Sequence, residues 1–249
     1  MCKTIESLWI EVRKLNLALS SVIILCLIYL SSMETLLRIF PTTVLFDNDF
    51  HANLIYTALY SDILRTFIPI VAGLSFSASY VDEIKSGYAR YVYIRTGRTT
   101  YIVSHIVVCF LCGAFVILVG ISSAWGVAAL LFKRLESNIS VLSNTRFEIF
   151  KLGILLCLTG GLWAVVGMMM RTFMESKYIA YASPFIIYYL LIILCKRYIP
   201  KAYIFSPQSW TESSMWPFEW FGSVVLIVGL VLLSSALFAF RAERRLRQL

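Results

Sequence analysis

The chain has 249 residues, of which 59% are hydrophobic and 14% charged, and its mean hydropathy is +0.80. Soluble domains run at about 45–50% apolar and about 25% charged, so this composition excludes a soluble enzyme, a disordered chain and a nucleic-acid-binding domain. What remains is an all-α polytopic membrane protein, whose net charge of +8 bears on orientation rather than on nucleic acid.

Residues 1–15 open as an amphipathic stretch. Ile5, Leu8, Trp9 and Val12 recur at helical spacing while Lys3, Glu6, Arg13 and Lys14 fall elsewhere, as in an interfacial helix leading into a span. No small-residue cleavage site precedes the first long apolar run, so no cleavable signal peptide is expected. A span needs about 20 apolar residues to cross a core of roughly 30 Å. Six runs qualify, at 16–38, 59–80, 100–132, 149–170, 178–195 and 218–240, and together they make residues 1–249 a single transmembrane domain. The third run is long enough to tilt or project. Pro69 and Pro184 fall inside the second and fifth, where a kink is expected.

With the N-terminus inside, the cytoplasmic segments 1–15, 81–99, 171–177 and 241–249 hold 13 Lys and Arg, against nine on the outer side. That bias predicts cytoplasmic termini in a cell membrane. The basic tail Arg241-Ala-Glu-Arg-Arg-Leu-Arg247 agrees and suits anionic lipid. The outer segment 196–217 carries Tyr198, Tyr203, Phe205, Trp210 and Trp216 among Pro200, Pro207 and Pro217. It reads as a re-entrant or interfacial hairpin, or as an aromatic belt on a loop.

Small residues recur every seven positions in three spans: Gly113 and Gly120; Gly153, Gly160 and Gly167; Gly222 and Gly229. Seven residues is nearly two turns, so each set shares a face where helices can approach closely, inside the protein or at a subunit seam. The six cysteines, Cys109 and Cys112 included, read as small buried hydrophobes rather than as a disulfide, redox or metal framework. Asp62 and Arg65 near the outer end of the second span are placed to pair along the helix. His51 and His105 fall on opposite sides of the membrane, and no nucleophile–base pair, phosphate-binding loop or zinc-protease motif occurs.

The segment between the second and third spans carries the most specific signal. Val81, Ile84, Tyr88 and Tyr91 form a stripe, with Asp82, Lys85 and Ser86 off it, which predicts one amphipathic cytoplasmic helix over 81–98. Arg95 and Arg98 follow, just before a helix N-terminus where the macrodipole disfavours cations, so they call for lipid phosphate or an acidic partner. Asp82, Glu83, Gly87, Arg95, Arg98, Tyr101 and Ser104 together resemble the coupling-helix region of permease subunits of type-two ATP-binding-cassette exporters. His105 departs from that pattern, which commonly has Lys there.

The resemblance implies six spans, an N-terminal connecting helix, a coupling helix and an outer re-entrant segment. It also implies a second permease subunit, identical or homologous, and a pair of separate ATP-binding subunits that would hold ATP and Mg, this chain having no cofactor and not being an enzyme. Asp82, Glu83, Tyr88, Arg95 and Arg98 would contact the ATP-binding subunit, and Gly87 would permit a turn or close approach. Small bacterial permeases of this size in the family resemble those exporting antimicrobial or cytolytic peptides or lipophilic drugs, which makes Phe205, Trp210 and Trp216 candidates for an outer gate. The competing classes are an ion-coupled secondary carrier, disfavoured by a lack of membrane carboxylates, and a non-transporting scaffold.

Overall fold

The computed structural model describes residues 22–24, 26–30, 33, 50–77, 79–132, 144–174, 176–199, 203–211 and 220–246, and none of these lies in a strand. The helices are α1 (Phe50–Leu59), α2 (Asp62–Phe76), α3 (Ser79–Lys85), α4 (Tyr88–Thr96), α5 (Arg98–Phe132), α6 (Asn144–Phe173), α7 (Lys177–Ile193) and α8 (Trp220–Leu246). A π-helical turn, Leu194–Tyr198, ends α7, and two short 3-10 turns, Tyr203–Phe205 and Ser209–Thr211, follow it. The amphipathic stretch expected at 1–15 lies outside the described residues.

Among the described residues five stretches are long and apolar enough to cross a membrane: Asp62–Lys85, Arg98–Leu131, Thr145–Phe173, Tyr178–Tyr198 and Trp220–Arg245. They correspond to the second to sixth apolar runs of the sequence. The first run, 16–38, lies largely outside the described residues. Its described part is helical and docks on the bundle: Ile24 and Ile28 are buried, and the Tyr29 hydroxyl donates to the Ala124 carbonyl at 3.1 Å. At 35 residues α5 is about 52 Å long, well beyond a 30 Å core, as its apolar length predicts.

Burial separates the inner spans from the outer ones. The apolar windows of the Asp62–Lys85 and α6 spans are 65% and 61% buried, against 44% for the α5 span, 28% for the α7 span and 22% for the α8 span. The helix that packs closest to α6 is α5, and glycine allows it. A methyl group at Gly113 would come 2.7 Å from the Gly160 carbonyl oxygen and 2.7 Å from the Ala164 methyl. At Gly167 it would meet the Ala180 carbonyl oxygen of α7 at 2.7 Å. Three of the predicted small residues therefore mark seams inside the chain. Gly153 and Gly229 do not, since a methyl at either would meet nothing within 4 Å; Gly120 is buried and Gly222 half-buried. Pro69 and Pro184 sit inside α2 and α7, and the Pro184 ring lies against Gly73 and Gly167.

Two features depart from the sequence expectation. The segment 81–98 is two helices instead of one, because Gly87 at φ +76° and Gly97 at φ +84° break the chain with left-handed turns on either side of α4. The expected apolar stripe is split with it: Val81 is buried and Ile84 half-buried, whereas Tyr88 and Tyr91 are exposed. The other is α1, which falls almost wholly between the first two apolar runs of the sequence and buries Ala52, Leu54, Ile55, Ala58 and Leu59.

Candidate functional site

The short helix α3 puts Tyr80 and Glu83 three residues apart, on neighbouring positions of one face, and that face turns into the bundle: Tyr80, Val81 and Glu83 are all buried. A buried carboxylate is costly without hydrogen-bond donors. The first turns of α5 supply them. Tyr101 and His105, one turn apart, point at the same oxygen: the Tyr101 hydroxyl donates to Glu83 Oε2 at 2.6 Å, and His105 Nε2 lies 3.2 Å from it. His105 is fully buried in an aromatic cage. The Tyr101 ring lies 4.6 Å away edge-on, Tyr80 5.5 Å edge-on and Phe76 6.0 Å stacked, and Phe238 of α8 closes over Tyr80 at 4.9 Å.

Asp82, the preceding residue, faces another way. Its Oδ1 accepts from Arg171 Nη2 at 2.7 Å, with Arg171 1% and Asp82 40% exposed. Arg171 lies in the last turn of α6, where a cation suits the helix dipole, and Asp82 in the first turn of α3, where an anion does. Two consecutive acids thus tie α3 to two different spans, Glu83 to α5 and Asp82 to α6. The sequence expectation had both acids reaching a partner subunit. In the folded chain Glu83 is an internal ligand, and the Asp82 carboxylate is engaged by Arg171.

The remaining predicted residues of this segment do face outward. Tyr88 is 43% exposed, and Arg95 and Arg98 are exposed. Tyr91 at 74% and Ile94 at 69% join them, so α4 presents Tyr88, Tyr91 and Arg95 at i, i+3 and i+7 on one uncovered face. The sequence reading put Tyr91 on the buried stripe and did not single out Ile94.

At the opposite end, Trp210 is core rather than surface. It is 3% exposed, stacks on Trp163 at 6.0 Å and donates from Nε1 to the Ile204 carbonyl at 2.9 Å. Phe205 is exposed, and Trp216 lies outside the described residues. Arg65 is buried with its guanidinium 4.9 Å from the Tyr60 ring centre. The described cysteines, Cys26, Cys109, Cys112, Cys157 and Cys195, are free thiols, and no metal-binding group of three His, Cys, Asp or Glu occurs among the described residues.

No family model, curated protein or solved structure matches the chain. Sequence reasoning missed Arg171 and gave His105 no role. A signal for both was present: Tyr101 and His105 are polar at i, i+4 at the start of an apolar run, and Arg171 is the single charge that closes the apolar run of α6.

Proposed function

We propose that this chain is the membrane subunit of an ATP-driven exporter, with α3 and α4 as the element that takes up motion from a separate ATP-binding subunit holding ATP and Mg. The observation that carries the reading is a pair of polar links from α3. A push on the exposed face of α4 reaches α3, and α3 is fastened to α5 through Glu83 and to α6 through Asp82. Coupling requires a difference in contacts between two states, and neighbouring acids on separate spans offer two links that can change unequally. The complete assembly would hold two permease subunits in a bacterial plasma membrane with both termini cytoplasmic.

The outward face of α4 and the inward face of α3 separate binding from transmission, and the test uses that separation. The chain is purified with its ATP-binding subunit, and association, hydrolysis and transport are measured in one preparation. Tyr91→Ala with Arg95→Ala should weaken association by about ten-fold or more, the size of one charge-assisted contact at an interface. Glu83→Gln should leave association intact and lower transport per ATP hydrolysed. Unchanged association in the first variant and unchanged coupling in the second would remove this segment from the role.

The cargo that suits spans with few charges and many aromatics is an amphipathic peptide or a lipophilic drug, because a sugar or inorganic ion would leave its polar groups unpaired there. Such molecules should stimulate hydrolysis by the complete complex, and stimulation confined to sugars or ions would exclude them. The buried Glu83–His105 pair favours one second reading, a proton-linked carrier, since buried ionisable pairs mark proton paths in transporters. Transport that continues without ATP and stops when the proton gradient is collapsed would select that reading.

A further inference from the structure

Near the ends that connect α5 to α6, an apolar groove of about 550 Å³ lies between the two helices. Leu118 and Ile121 of α5 and Ile154 and Leu158 of α6 line its length, and Trp125 and Arg146 are its lining residues closest to the helix ends. From Ala114 to Trp125 the groove follows about 16 Å of helix. That is half of a 30 Å hydrocarbon core, the depth of one leaflet. Arg146 is the one charged residue in the lining. Glu148 and Lys151 beside it bind each other at 2.8 Å.

We infer that this groove holds the acyl chain of a bilayer phospholipid with an anionic head group, its phosphate beside Arg146 and the Trp125 ring at head-group level. The inference rests on α5 and α6 spanning a membrane and is independent of the exporter reading. Three features select this occupant. The length fits one leaflet, whereas a helix from a second copy would need a surface running through the whole core. The lining is apolar below its mouth, so a peptide backbone lying there would leave amides unpaired. The cation stands where a head group would be, and basic residues between membrane helices attract lipid phosphates. Gly153 shapes the groove wall: a methyl there would touch nothing within 4 Å, so the residue leaves volume open instead of closing a seam.

The test places the full-length chain in vesicles of zwitterionic lipid and titrates in phospholipids carrying brominated acyl chains. Quenching of Trp125 is read as the difference between the native chain and Trp125→Phe. Brominated phosphatidylglycerol should quench at a mole fraction about five-fold lower than brominated phosphatidylcholine, the effect of one arginine at a membrane surface. Arg146→Gln should erase that preference and keep the quenching. Gly153→Leu should fill the groove and remove the saturable component. Thermal unfolding of both variants at the native midpoint establishes that they fold. Equal quenching by the two lipids in the native chain, or a native response from Gly153→Leu, would overturn the inference. So would loss of quenching on adding an equimolar amphipathic peptide, which would assign the groove to peptide.

Discussion

Asp82 and Glu83 are neighbours in the chain, yet their carboxylates end in different environments, and their substitutions should behave differently. Asp82→Ala leaves Arg171 buried without its carboxylate. Breaking a buried pair costs about 3–5 kcal/mol, and the 40% exposure of Asp82 brings the expectation down to about 2 kcal/mol by admitting solvent to the charge. Thermal unfolding in detergent should show that loss, and Asp82→Ala combined with Arg171→Met should recover most of it in a double-mutant cycle. A double variant as unstable as the single one would mean that Arg171 has no need of Asp82. Tyr101→Phe removes one interhelical hydrogen bond and should cost about 0.6–1.7 kcal/mol. Trp210→Ala should cost about 3–5 kcal/mol as a large buried deletion, while Phe205→Ala, at 58% exposure, should leave the unfolding midpoint unchanged. These destinations were only partly legible in the sequence. Charged residues beside a span face water as a rule; Glu83 escapes the rule because Tyr101 and His105 converge on it, and Asp82, though 40% exposed, is held by a partner 89 positions away. Local periodicity holds no record of a partner that distant.

Among the elements, α4 is bounded by two left-handed glycines, and each is a sharp test of the split. Gly87→Ala should cost about 1–3 kcal/mol in backbone strain, although its methyl would meet no atom within 4 Å. A substitution that costs stability without a steric clash isolates the φ requirement, and an unchanged unfolding midpoint would show the turn to be adaptable. The helix seams make the converse comparison. At Gly160 a methyl would lie 2.1 Å from Ile117 Cδ1 and 3.0 Å from the Gly113 carbonyl oxygen, so Gly160→Leu should prevent α5 and α6 from closing. Gly229→Leu on α8 should be tolerated. Both outcomes can be followed by the fraction of chain that survives size-exclusion chromatography as a single species. The seven-residue spacing in the sequence left open an internal or a subunit seam; in the fold Gly113 and Gly160 lie where α5 and α6 approach, and the spacing could not rank Gly153 and Gly229 below them. A spacing fixes which face a glycine occupies; whether another helix reaches that face is set by the rest of the bundle. The helix α1 was missed for a related reason: at ten residues it is too short for a span, and its burial depends on α5 and α6, which appear later in the chain.

For the whole molecule, the all-α class expected from composition holds for the described residues, none of which lies in a strand, and the apolar runs located five membrane-competent stretches among them to within a few residues at most ends. Orientation is a property of the assembled chain and needs its own measurement. In a background with the six native cysteines replaced, Ser86→Cys and Tyr198→Cys are both well exposed positions at opposite ends of the bundle. With cytoplasmic termini, an impermeant maleimide added to intact cells should label the second and not the first, and the reverse pattern would invert the topology. The Asp82–Arg171 link has a further consequence, in the order of events at the ribosome. Asp82 is synthesised 89 residues ahead of Arg171. At about 5–20 residues per second the acid waits roughly 4–18 s for its base. During that interval α3 lacks its tether to α6, because Arg171, in the last turn of α6, has not yet been made. A nascent chain halted before Arg171 should therefore carry α3 loosely at the membrane surface, open to protease, and the same chain released after α6 should protect it. Arg171 would then act as a checkpoint in assembly, the residue whose arrival locks an early segment into the finished bundle.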